Sequence, residues 1–117
     1  MEKEETREYQ VEFTPLSRYY FYEVLEYLYG LYPIGRAEQL ADELEGMAQG
    51  LNYLPHRGKK EKWLSGRERE YRFLLFNRTK RADIKIIYYI QENEGKVYVT
   101  DFFPTEMDID KITGRSS

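Results

Sequence analysis

The sequence predicts an α+β domain in which a two-helix hairpin covers one side of an antiparallel sheet. Three observations carry this expectation. Apolar residues at three- and four-residue spacing are confined to residues 14–50, strand-like patterns stand on either side of them, and the link between the two helical segments is short. At 117 residues the chain suits one domain, a size that buries a core without covalent staples.

Met1 to Glu8 is charged, has little to bury, and is expected as a flexible tail. Tyr9-Gln10-Val11-Glu12-Phe13 alternates apolar and polar residues, the pattern of a half-buried strand. Thr14-Pro15 then reads as a helix start, because threonine caps free amides and proline suits the first turn. Leu16, Tyr20, Val24, Tyr27, Leu28 and Leu31 form one stripe, and Gly30 and Pro33 mark the end. A second helix over Gly35–Gly50 repeats the period with Ala37, Leu40, Ala41, Leu44, Met47 and Ala48, leaving Glu38, Asp42, Glu43 and Glu45 for solvent. The short link between the helices implies an antiparallel pair. Strands are expected at Tyr71–Phe76, Ile84–Ile90 and Lys96–Phe102, with a weaker one at Lys60–Leu64, forming a three- to four-stranded antiparallel meander. The domain then spans 9–112, and Thr113 to Ser117 reads as a polar tail. The sheet face away from the helices is expected to stay partly open and to display Arg72 and Lys85.

Composition narrows the chemistry. The absence of cysteine excludes disulfides and cysteine-ligated metal centres, and the single histidine, His56, excludes multi-histidine metal sites. No apolar run approaches the ~20 residues that span a bilayer, and the acidic start Met-Glu-Lys-Glu-Glu is not a secretory signal. A cytoplasmic protein is therefore expected. The net charge of −3 argues against a general nucleic-acid binder, but the charge is unevenly spread. Residues 1–50 hold 4 Lys and Arg against 11 Asp and Glu, whereas residues 56–85 hold 11 against 4. One basic stretch is thus available to phosphate while the rest stays acidic. The 12 tyrosines and 6 phenylalanines suggest half-buried surfaces with wet tips.

Four local features, taken in order, resemble the RelE/ParE superfamily of type II toxin–antitoxin toxins, also called plasmid-stabilisation proteins. They are Tyr9-Gln10-Val11-Glu12-Phe13-Thr14-Pro15; the turn Leu54-Pro55-x-x-Gly58; Tyr71-Arg72-Phe73-Leu74 followed by Ile84 to Ile90; and Val97-Tyr98-Val99-Thr100-Asp101-Phe102-Phe103. The resemblance covers about residues 8–112. It implies a compact toxin neutralised by a cognate antitoxin, with no cofactor and no membrane partner. The target it implies is either the ribosome with its messenger RNA, which some members cut without a metal, or DNA gyrase, which others inhibit without nuclease chemistry.

For the nuclease branch the resemblance places Arg72 and Lys85 at catalytic cationic positions, where guanidinium and ammonium groups would hold phosphate charge. Arg57, Lys59, Lys60, Lys62, Arg78 and Arg81 are the candidates for binding nucleic acid or another target. The C-terminal stretch departs from the nuclease pattern. Glu106 stands near the expected arginine and Ile112 near the expected aromatic acid–base residue, leaving His56 and Tyr88 as candidate substitutes. His56 is expected on the surface and Trp63 buried against the sheet. A chain that keeps only antitoxin binding is the alternative to an active toxin.

Overall fold

Strand β1 (Gln10–Phe13) runs directly into helix α1 (Pro15–Leu31), and the cause is local. The Thr14 hydroxyl accepts from the Ser17 amide at 3.1 Å, Pro15 sets the first turn, and the Ser17 hydroxyl donates back to the Thr14 carbonyl at 2.8 Å. Thr14→Ala is expected to lower stability by about 1 kcal/mol, read as a shift in the urea midpoint. Helix α2 (Ile34–Gln49) follows, and then strands β2 (Lys59–Lys60), β3 (Arg72–Phe76), β4 (Ile84–Gln91) and β5 (Lys96–Pro104). The computed structural model describes residues 7–78 and 83–116. Arg81, one of the candidate binding residues, and most of the turn around it lie outside that range.

The helices pack on one face of a five-stranded sheet, ordered β1-β5-β4-β3-β2. Val24 and Leu28 of α1, with Ala37, Leu40, Leu44 and Ala48 of α2, bury the periodic stripe against Ile84, Ile86, Tyr88, Val97, Val99 and Phe102. Leu16, read as part of that stripe, is exposed. The meander β2 to β5 is antiparallel, but the sheet as a whole is mixed, because β1 pairs with β5 in parallel. No hairpin links those two strands, so no tight turn imposes an antiparallel arrangement.

The second face is less open than expected. Leu64, Tyr71, Ile87, Phe103 and Ile112 form a second buried cluster there. Its roof is two 3-10 segments, Lys62–Leu64 and Ile109–Gly114. The polar end of the chain is docked too. Arg115 pairs with the buried Asp101, and Ser116 is buried with its hydroxyl 2.7 Å from that of Thr100. Thr100 is a bulge: Ile87 pairs with Asp101 and Tyr88 with Val99, leaving Thr100 out of the ladder. At the other end Arg7 donates to the Glu92 carbonyl and Glu8 bridges to Tyr53, so these two residues are held. Among the described residues no helix is long and apolar enough to cross a membrane.

Candidate functional site

The turn after α2 is fixed by one buried hydroxyl. Tyr88 Oη donates to the Pro55 carbonyl at 2.6 Å and accepts from the Gly58 amide at 3.1 Å. A Cβ on residue 58 would lie 2.1 Å from that oxygen and 2.9 Å from the Phe73 carbonyl, which is why glycine stands there. Leu54 enters the turn at φ 50°, a left-handed conformation rarely taken by a γ-branched side chain. Burial pushes the Tyr88 phenol up, against the pull of the Gly58 amide and of the Arg72 and Arg57 charges, so it remains a donor.

Arg72 reaches the same turn from β3. Its guanidinium donates to the Gly58 carbonyl at 2.8 Å and the His56 carbonyl at 3.3 Å, and pairs with Glu70 at 3.0 Å. The His56 side chain points to Glu92, with Nε2 2.5 Å from Oε2. Tyr9 Oη donates to the other Glu92 oxygen at 3.0 Å, and Arg7 lies 3.5 Å from it. A shallow cavity of about 310 Å³ gathers His56, Glu92, Arg72, Arg69 and Glu70 along one wall. Partial burial pushes the Glu92 carboxyl up. Hydrogen bonds from Tyr9 and His56, with the charges of His56 and Arg7, outweigh it and hold the carboxyl below the usual range. A lowered carboxyl contributes stability above its unfolded value of about 4.5, and that stability is lost as pH falls through the folded value. The stability gap between the native chain and Glu92→Gln should therefore close on acidification, which chemical denaturation across a pH series measures.

Lys85 is elsewhere. Arg72 pairs in register with Tyr88 on the helix-facing side, whereas Lys85 pairs with Leu75 and points to the opposite side. There its Nζ lies 2.8 Å from Glu61 Oε1 and 4.4 Å from the centroid of the Phe73 ring. The Glu61 side chain is 1% exposed and that of Lys85 15%. The two cations expected to act together are therefore separated by the sheet, and the lysine is committed to a buried carboxylate.

The remaining candidates divide by position. Arg57, Lys59, Lys60 and Lys62 are exposed beside the short edge strand β2, where Arg57 donates to the Tyr53 and Leu54 carbonyls and Lys60 lies 3.8 Å from Glu70. Lys60 shares the Arg72 face, and Lys59 shares the Phe73 face. Arg78 is remote, 3.6 Å from Glu43 of α2. Trp63, expected to be buried, is 43% exposed, because Leu64 and not Trp63 fills the second cluster.

Sequence reasoning passed over Glu92, Tyr9 and Arg7, which surround His56, and Glu61, which neutralises Lys85. The first group is assembled by the meeting of a terminus, a loop and a hairpin, which no local spacing signals. His56 and Glu92 form a hydrogen-bonded pair that shares about 310 Å³ of space with the Arg72 guanidinium, itself paired with Glu70. Among the described residues, no three acidic or histidine side chains are grouped to hold a metal ion. No protein-family model matches the chain, and a search of the curated proteins returns no match.

Proposed function

We propose that the chain is a toxin of the RelE/ParE type, neutralised by a cognate antitoxin, which inhibits growth by binding its target rather than by cutting RNA through paired cations. The order of elements supports the family: a strand entering a capped helical hairpin, then an antiparallel meander, with the Leu54-Pro55-x-x-Gly58 turn seated on Tyr88. The observation that carries the binding mode is the placement of Arg72 and Lys85 on opposite faces. Stabilising a phosphorane requires cations that converge on one point. Recruiting Lys85 would strip Glu61 of its partner, at a cost of about 3–5 kcal/mol. DNA gyrase is the target, among those the resemblance offers, that needs no nuclease chemistry. The exposed Arg57, Lys59, Lys60 and Lys62 give the β2 edge a basic docking surface.

Inducing the gene alone in a bacterium is expected to arrest growth, and co-expression of a neighbouring antitoxin frame to relieve it. Purified chain is expected to inhibit supercoiling by gyrase with RNA left intact. Unimpaired growth on induction overturns the active-toxin reading and leaves a chain that only binds its antitoxin.

The His56–Glu92 pair beside Arg72 favours a second reading, metal-independent RNA cleavage at the ribosome. Glu92 would take the 2′-hydroxyl proton, His56 would protonate the leaving oxygen, and Arg72 would hold the phosphate. Under that reading cleavage is lost in His56→Ala and Arg72→Ala, and survives the paired change Glu61→Leu with Lys85→Met.

A further inference from the structure

We infer that the groove between α1 and the segment from Phe102 to Met107 is a binding site for a cationic side chain, a lysine or arginine carried by a basic, partly apolar segment of a protein partner. Tyr20, Glu23, Val24 and Tyr27 occur at the three- and four-residue spacing that puts them on one helix face, and they form one wall. Phe102, Pro104, Glu106 and Met107 form the other, around about 310 Å³. The floor is apolar and the rim carries two carboxylates. Tyr27 Oη donates to Glu106 Oε1 at 2.5 Å, so the second carboxylate is fixed over the groove.

Charge decides the occupant. Arg115 also borders the groove, but its charge is matched by the buried Asp101 at 2.8 Å. Among the described residues that line the groove, Glu23 and Glu106 are the other charged groups, and their field is negative. The Arg115 guanidinium lies 3.8 Å from the centroid of the Tyr20 ring, so that ring face is already covered and an incoming cationic head is left to the two carboxylates. A lysine or arginine stem would pack on Val24 and Met107 while its head meets the carboxylates. This inference does not depend on the target of the proposed toxin.

The test is titration of the full chain with a short labelled peptide of alternating lysine and leucine, followed by fluorescence anisotropy. Saturable binding is expected, weakened about ten-fold in the double variant Glu23→Gln, Glu106→Gln. It should be unchanged in Glu38→Gln, Asp42→Asn, which removes the same charge from the exposed side of α2. Equal weakening in both double variants means attraction to net charge and overturns the proposal, as does a dimer of the chain that competes with the peptide. Should the first double variant fold poorly, methyl spectra of the native chain decide. Peptide-induced shifts at Val24 and Met107 support the site, and shifts confined to other methyl groups overturn it.

Discussion

Arg115→Ala is expected to destabilise the fold by about 3–5 kcal/mol at neutral pH, although the residue stands next to the C-terminus. Its guanidinium donates to both oxygens of Asp101, at 2.8 to 3.2 Å, and to the Phe102 carbonyl at 3.3 Å. Asp101 is fully buried and Arg115 nearly so, at 12% side-chain exposure. The alanine variant therefore leaves a carboxylate without a counter-charge inside the protein. Burial already pushes the Asp101 carboxyl up, outweighing the hydrogen bonds and charge of Arg115 that pull it down. A raised carboxyl keeps a proton that the unfolded chain releases. Its stability contribution is complete below the unfolded value of about 3.8 and is lost as pH rises through the folded value. Without Arg115 that loss deepens, so the deficit of the variant is largest at neutral pH and shrinks in acid. Urea denaturation of both chains over a pH series measures it. A deficit that does not change with pH would mean that packing on Tyr20, and not the ion pair, is what the arginine supplies.

Gly58→Ala is the second large effect. The added methyl group would meet the Tyr88 oxygen at 2.1 Å and the Phe73 carbonyl at 2.9 Å, and the second of these is backbone. Overpacking of this kind costs about 1–3 kcal/mol. Displacing the hydroxyl leaves the Pro55 carbonyl and the Gly58 amide without their buried partner, which adds about 1–3 kcal/mol. Tyr88→Phe alone is expected to pay only the second cost. Combined with it, Gly58→Ala should cost less than it does alone, because the oxygen it strikes is gone, and a double-mutant cycle by thermal unfolding reads this coupling. The turn also supplies the carbonyls that orient Arg72, so the glycine variant should weaken any function of that guanidinium.

Much of the architecture was legible because it rests on periodicity. Ala37, Leu40, Leu44 and Ala48 recur at helical spacing and are buried at that spacing, and Ile84, Ile86 and Tyr88 alternate in the sequence and share one face. The same alternation contained the answer for Arg72 and Lys85, but only once the register between β3 and β4 is known. A shift of one residue would have brought them to the same side. Pairing by sequence proximity therefore misled, while pairing across the ladder is decisive. Asp101, followed by Phe102 and Phe103 in a strand rich in apolar residues, was a usable signal, because a buried carboxylate there needs a cation. That its partner is Arg115 follows from the chain folding back beside the Thr100 bulge, which composition alone does not dictate. Trp63 and Leu64 are neighbours with equal claim to the core by hydrophobicity, and the geometry of the 3-10 turn selects the second.

On the proposed reading Arg72 and Lys85, which lie on opposite faces of the sheet, do not form one active centre. Primer extension on messenger RNA from a translation extract dosed with the purified chain tests it most directly. No new ends are predicted. Ends at defined codons that vanish equally in Arg72→Ala and in the paired change Glu61→Leu with Lys85→Met would contradict it, since only residues acting at one phosphate would fail together.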